Sequence, residues 1–237
     1  MRSETRDKDF ANSSIYVIVP AFNEARALRD TVTPLVDAGY TVVVIDDGSS
    51  DHTLDALRGL PIAGLRHVVN LGQGAALQTG MEYAFRHGAE IVVHFDADGQ
   101  HPADSIPALV EPILDDRADV VLGSRFLRSE DVGQIPALRR LLLRIGIVVS
   151  GIFTGLWLSD THNGFRALSR KAMREIQLRE NGFAHGTEIL AEIRRKGLRY
   201  IEVPAAIRYS AYSRSKGQPF WNSFNIVIDL LMEKLFR

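Results

Sequence analysis

Short runs rich in β-branched residues recur at 15–19, 41–45, 65–69, 91–95 and 119–122, and helix-like segments separate most of them. Apolar runs of this length are too short for stable helices and suit strands buried on both faces. With helical patterns between them they make βαβ units, so the expected fold class is α/β: a Rossmann-like, mostly parallel sheet with helices on both faces. Helices are expected over 24–36, 51–57, 74–86 and 104–114, with Ser50 or Asp51 and Asp104 as caps or first-turn acids.

Small and reactive residues cluster at one place relative to those strands. Pro20-Ala21-Phe22-Asn23-Glu24 follows the first, Asp46-Asp47-Gly48-Ser49-Ser50-Asp51 the second, and Asp96-Ala97-Asp98-Gly99-Gln100-His101-Pro102 the fourth. Gly123-Ser124-Arg125 follows the fifth. Open parallel sheets bind ligands beyond the carboxyl ends of their strands, so these clusters define one crevice. Asp96 and Asp98 offer hard oxygen ligands of the kind Mg²⁺ or Mn²⁺ takes, and Gln100 can add a carbonyl oxygen. A lone Asp-Ala-Asp-Gly is also a common turn; its place beside the other strand-end clusters favours the metal. Of the adjacent Asp46 and Asp47, one can accept from a ribose or base while the other fixes the loop.

Asn70-Leu71-Gly72-Gln73-Gly74 resembles half of a dinucleotide fingerprint, but Leu77 stands where a third glycine belongs. Its glycines still let backbone N–H groups approach a phosphate or ribose. Downstream, Arg125, Arg128, Arg139, Arg140 and Arg144 lead into an apolar stretch over 145–158. A basic edge beside an apolar surface is what a lipid phosphate requires, and guanidinium forks suit phosphate. Asp160-Thr161-His162-Asn163-Gly164-Phe165-Arg166 and the loop from Arg208 to Lys216 mix small, aromatic and charged residues. Glu188 stands at a helix start, where a first-turn acid is common.

The chain has 237 residues, 46% of them hydrophobic and 24% charged, enough for one domain with a sizeable core and against disorder. A formal net charge of -1 gives no global pull toward nucleic acid, so no nucleic-acid partner is expected. The absence of cysteine excludes disulfides and thiolate metal sites and fits a reducing compartment. Residues 1–13 read as a charged tail without a signal-peptide core, 14–217 as the catalytic domain, and 218–237 as an amphipathic helix. That helix carries Phe220, Trp221, Phe224, Val227, Ile228, Leu231 and Leu235 at helical spacing, suited to the protein's own core or to a membrane interface. The stretch 145–158 is too short to span a bilayer.

Taken in order, Pro20 to Glu24, Val44 to Asp51, Asn70-Leu71-Gly72, Asp96 to Pro102 and Gly123-Ser124-Arg125 resemble the motifs of family 2 glycosyltransferases. Within that family the likeness is to dolichyl-phosphate mannose synthases and bacterial polyprenyl-phosphate sugar transferases, and it runs to Lys216. The resemblance implies an A-type glycosyltransferase fold, an inverting reaction, and a nucleotide-sugar donor with a polyprenyl-phosphate acceptor. It places a divalent ion on Asp98 and Gln100, and the nucleotide against Pro20, Ala21, Asn23, Glu24, Asp46, Asp47, Gly72, Asp96 and Ala97. Arg125, Arg139 and Arg144 would meet the acceptor phosphate, and Arg208 with Lys216 the donor diphosphate. By the same resemblance, Asp96 and Asp98 would carry the catalysis. Glu188 or Asp160 enters as a base where the acceptor is a sugar hydroxyl, the alternative to a phosphate that is already anionic. The location this implies is the cytoplasmic membrane surface, held peripherally with or without a small membrane-anchoring protein.

Overall fold

The computed structural model describes residues 14–127, 147, 151–152, 154–161, 163–182 and 184–206. The expected tail over 1–13 and the expected helix over 218–237 lie outside these described residues. Strand β1 spans Ile15–Ala21, β2 Thr41–Asp46, β3 Ala63–Arg66 and β4 Ile91–His94. They are followed by β5 at Val120–Ser124, β6 at Arg166–Ser169 and β7 at Tyr200–Pro204. The helices are α1 (Leu28–Asp37), α2 (Gln73–Arg86), α3 (Ile106–Leu114), α4 (Arg170–Glu175) and α5 (His185–Arg195).

The seven strands form one sheet in the order β3-β2-β1-β4-β6-β5-β7. All neighbours are parallel except β6, which runs antiparallel to both β4 and β5. Alternate residues of each strand feed two cores. Val17, Val19, Val42, Val44, Val93 and Phe95 pack with Leu28, Val32 and Leu35 of α1 and Leu109 of α3. Ile18, Val43, Ile45, Val92 and Leu122 pack on the other face with Leu77 and Met81 of α2 and Ile189 and Ile193 of α5. Two buried faces explain why β1 and β2 read as continuous apolar runs.

Some elements differ from the sequence expectation. The segment before α1 is a turn because the Asn23, Glu24 and Ala25 amides are held by Ser49, Thr53 and Asp51, so helix begins only at Leu28. Residues 53–57 form a 3₁₀ helix, and β3 ends at Arg66, leaving Val68 and Val69 exposed on the loop beyond it. Strands β6 and β7 escape the sequence pattern altogether.

Candidate active site

The loops after β1, β2 and β3 are built as one piece. The register sets Pro20 beside Ile45 and Ala21 beside Asp46. Asn23, at φ 56°, donates its amide to Ser49 Oγ (2.9 Å), and its Oδ1 accepts from the Ser50 amide (3.0 Å). The Glu24 amide donates to Thr53 Oγ1 at 3.1 Å. These bonds fix the backbone of the two loops against each other before any ligand arrives.

The adjacent acids of β2 divide their work. Asp47 accepts from the Leu71 amide (2.9 Å) and the Gly72 amide (2.7 Å), and its Oδ1 lies 2.7 Å from His67 Nδ1. Its carboxylate therefore holds the loop over 70–72 in place. Gly72 is at φ 105°, where a side chain would be strained, and an added Cβ would run into the Asn181 carbonyl. Asp46 is fully buried; Oδ1 accepts from the Ser49 amide at 2.8 Å, while Oδ2 has no hydrogen-bond partner and faces Arg66 Nε at 3.5 Å.

At the end of β4, Asp96 Oδ1 accepts from Gln73 Nε2 at 3.1 Å, and Gly164 passes so close that a Cβ would stand 3.0 Å from Asp96 Oδ2. Burial raises the Asp96 carboxyl above its ordinary range, and Arg166, the Gln73 hydrogen bond and Arg125 pull it back. The Ala97 carbonyl accepts from Thr31 Oγ1 (3.0 Å), which pins the turn between the two acids. Asp98 Oδ1 accepts from the Gln100 amide at 3.0 Å. Burial, and then the charge of Asp96, push Asp98 up to about 6, with Glu24 adding to the effect. Glu24, Asp96 and Asp98 thus sit within one another's fields at the mouth of the crevice. His101 is stacked on Phe165 and held to about 4 by burial, so it is neutral and does not offset them.

This donor set suits a hard divalent cation. Mg²⁺ and Mn²⁺ are commonly held by one or two carboxylates and complete their shell with water and substrate phosphates. Among the described residues no group of three or more His, Cys, Asp and Glu is placed to hold a metal ion. Asp98 supplies the carboxylate and Gln100 lies beside it.

Across the sheet, Arg125 at the end of β5 forks onto Asp160, Nε to Oδ2 at 2.6 Å and Nη2 to Oδ1 at 2.8 Å. The Arg125 amide donates to the same carboxylate at 3.1 Å. Glu202 of β7 accepts from the Ser159 and Asp160 amides and so fixes the loop that presents Asp160. Glu188, in the first turn of α5, accepts from the Arg179 and Glu180 amides at 2.9–3.0 Å. Neither acid stands as a base with an idle carboxylate: one is paired with a guanidinium and the other caps a loop. His162, Arg139, Arg144, Arg208 and Lys216 lie outside the described residues.

Two residues at the site carried no role in the sequence reading. Gln73 reaches Asp96 from the start of α2, and its place between two glycines at a strand-to-helix turn was the available signal. Arg166 begins β6 and is almost wholly buried behind Asp96; nothing in the run 160–166 marked it as part of a strand. A cavity of about 690 Å³ also opens on the α1 side of Asp98, lined by Arg26, Thr31, Tyr40, His101 and Pro107. Asp98 and Gly99 also line it, whereas Asp46, Asp96 and Arg125 do not, so it meets the crevice only at Asp98.

Comparison with known proteins places this geometry in context. Residues 16–177 match the model of "Glycosyl transferase family 2". A UDP-N-acetylglucosamine-dolichyl-phosphate N-acetylglucosaminyltransferase of Methanococcus voltae is 30% identical over 246 residues, covering 95% of this chain and 98% of that protein. An undecaprenyl-phosphate mannosyltransferase of Micrococcus luteus is 30% identical, covering 80% of this chain and 82% of its own. A dolichol-phosphate mannosyltransferase of Pyrococcus furiosus is 29% identical over 92% of this chain and 63% of its own. Among solved structures, glucosyl-3-phosphoglycerate synthase from Mycobacterium tuberculosis, in complex with Mn²⁺, UDP and glucosyl-3-phosphoglycerate, superposes with a TM-score of 0.61. It is 23% identical and the match covers 92% of this chain and 78% of that one, a likeness that shows the A-type glycosyltransferase fold.

Proposed function

The chain belongs to glycosyl transferase family 2, and from that premise we propose that it transfers a sugar from a UDP- or GDP-linked donor to a polyprenyl phosphate at a membrane surface. The observation that carries this reading is the pair of acids after β4, Asp96 accepting from Gln73 and Asp98 from the Gln100 amide, beside strand ends whose loops are already locked together. Such a pair is uncomfortable alone and is relieved by a cation bound with the donor diphosphate. The relatives named for dolichyl- and undecaprenyl-phosphate support the acceptor class. Among the described residues no helix is long and apolar enough to cross a membrane; the attachment we propose is peripheral, with or without an anchoring partner.

In this reading Asp98 and Gln100 hold Mg²⁺ or Mn²⁺, and Asp46 and Glu24 face the nucleoside. When bound, the ion supplies charge stabilisation for the departing diphosphate. Asp96, two residues before Asp98, accepts from Gln73. Arg125, anchored by Asp160, is presented toward the acceptor phosphate. A phosphate acceptor is already anionic at neutral pH and needs no strong base, which accords with Asp160 and Glu188 being engaged elsewhere.

A panel of radiolabelled UDP- and GDP-sugars offered with polyprenyl phosphate, in excess chelator or with Mn²⁺ restored, tests this directly. Label entering the organic phase only with metal is expected. Transfer that persists in chelator removes the metal role, and label found only on a sugar hydroxyl acceptor overturns the acceptor assignment.

A further inference from the structure

Residues 178–181 form neither helix nor strand, yet two helices hold their backbone. From α2, Gln78 Oε1 accepts from the Leu178 amide (2.9 Å), and the Gly74 amide donates to the Asn181 carbonyl (2.8 Å). From α5, Glu188 accepts from the Arg179 amide at 3.0 Å and from the Glu180 amide at 2.9 Å. A first-turn acid ordinarily serves its own helix. Here α5 has no side-chain cap, and Glu188 spends both oxygens on amides eight and nine residues back. A carboxylate that gathers two amides is a charge-assisted anchor, stronger than a neutral one.

The other side of this segment is the turn between β3 and α2. A Cβ on Gly72 would collide with the Asn181 carbonyl, and one on Gly74 with the Glu180 carbonyl, so backbone is packed directly on backbone. Gln73, between the two glycines, donates to Asp96. The Leu71 and Gly72 amides are held from the opposite side by Asp47. The turn 71–74 therefore lies between two anchors, Asp47 directly and Glu188 through residues 179–181.

We infer that Glu188 is a positioning residue for the nucleotide-sugar: it fixes residues 179–181 as the wall on which the turn 71–74 is seated, and so sets where the Gly72 backbone meets the donor. The inference rests on the function proposed above, in which Gly72 lies against the nucleotide. Neither glycine has a side chain to absorb a shift of the wall, so movement of the segment passes to the turn. Arg125 and Asp160, on the acceptor side, take no part in these bonds.

The test compares Glu188→Ala, which removes the anchor, with Glu188→Gln, which keeps an acceptor oxygen. Glu188→Ala is expected to raise the KM for the nucleotide-sugar by about fivefold or more, the low end of typical coupling between sites. The acceptor KM should change by less than about twofold, and Glu188→Gln should bring the donor KM back within about twofold of wild type. Without any ligand, amide exchange at Gly74 should be faster in Glu188→Ala and slow again in Glu188→Gln. An unmoved donor KM in folded Glu188→Ala, equal changes in both KM values, no rescue by Glu188→Gln, or unchanged exchange at Gly74 each overturns the inference. Asp119→Asn supplies a destabilised fold with the anchor intact, and an equal rise of donor KM in that variant overturns it too. Should Glu188→Ala not fold, Glu188→Asp decides: it keeps the charge and draws the carboxylate back, and an unmoved donor KM there is equally fatal. Wild type that glycosylates a sugar hydroxyl in place of polyprenyl phosphate corrects the proposed acceptor and leaves the donor KM as the measure of Glu188. Wild type that shows no binding of Mn²⁺-UDP or Mn²⁺-GDP by calorimetry sinks the proposed function, and the inference with it.

Discussion

The two edges of the sheet handle buried acids in opposite ways. At the carboxyl ends of the strands, burial raises Asp96, and burial with the neighbouring charge raises Asp98 to about 6. At the amino end of β5, burial likewise works against Asp119, but hydrogen bonds from Arg199 and Lys171 outweigh it and hold its carboxyl below the usual range. Arg199 donates from its amide (2.9 Å) and from its guanidinium (3.2–3.3 Å), and Lys171 Nζ lies at 3.2 Å. The amino end of β5 gives Asp119 two cationic partners and serves stability. The other edge places Asp96 and Asp98 close enough that the charge of the first disfavours that of the second, an arrangement that the proposed cation would complete.

The largest expected effect comes from removing charge at the undercompensated edge. Asp98→Asn should lower transfer by about a hundredfold or more, the scale on which loss of a charge-stabilising group acts in other enzymes. The melting temperature should hold or rise slightly in metal-free protein, because the substitution relieves repulsion with Asp96. Retained turnover, or a collapse of the fold, would make this edge structural like the other and end the contrast.

The pH dependence sharpens it. The Asp98 pKa is higher in the folded chain than the ordinary carboxylate value, so the folded state binds more protons between about pH 4 and 6. Stability from this group is therefore present below about pH 4 and lost as pH rises through about 6, in metal-free protein. A cation competes with that proton, so Mn²⁺ affinity should fall about tenfold per pH unit below 6 and level off above it. Free Mn²⁺ followed by electron paramagnetic resonance across pH 4.5–8 (an assay range of about 3.5 units) measures this. A flat profile would mean that Asp98 does not meet the ion.

The contrast also shows what the sequence could reveal. The crevice edge was visible because parallel strands end in short local clusters, each readable within a few residues of its strand. Partners distant along the chain were not visible. Glu188 and Asp160 read as bases only for a hydroxyl acceptor, and the sequence does not show that one accepts from the Arg179 and Glu180 amides and the other from Arg125. Between Asp46 and Asp47 only the fold decides which one holds the loop over 70–72. Strand β6 was hidden because Arg166-Ala167-Leu168-Ser169 is four residues long and opens on a charge. Strand β7 is five residues long, carries the charge of Glu202 at its middle, lies at an edge of the sheet and ends on proline. Conversely, Val68 and Val69 look like strand and are 99% and 59% exposed, since pairing with β2 ends at Arg66.

Glu188 gives a smaller effect that still separates loop anchoring from chemistry. Glu188→Gln keeps an acceptor for the Arg179 and Glu180 amides, so kcat should change by less than about tenfold, with a stability loss of about 1 kcal/mol. A general base typically contributes 10²–10⁴-fold. A loss of that size, with an altered pH profile of kcat, would return Glu188 to the chemistry and favour a hydroxyl acceptor.

The smallest effect belongs to the far edge and concerns stability alone. The Asp119 side chain is 5% exposed but its partners are about half exposed, Arg199 at 48% and Lys171 at 53%, so solvent screens the attraction. Asp119→Asn should therefore cost about 1–2 kcal/mol, below the value for a fully buried pair, and lower the melting temperature by roughly 2–8 °C. The folded pKa is depressed, so this stabilisation is present above the ordinary carboxylate range and is lost as pH falls through the folded value. Wild type and variant should converge in acid and diverge toward neutrality, the reverse of the Asp98 contribution in metal-free protein. Donor and acceptor kinetics should not change, because Asp119 holds β5 to β7 and α4 at the end of the sheet opposite the crevice. A kinetic defect in a variant that melts normally would show that the two edges are not independent.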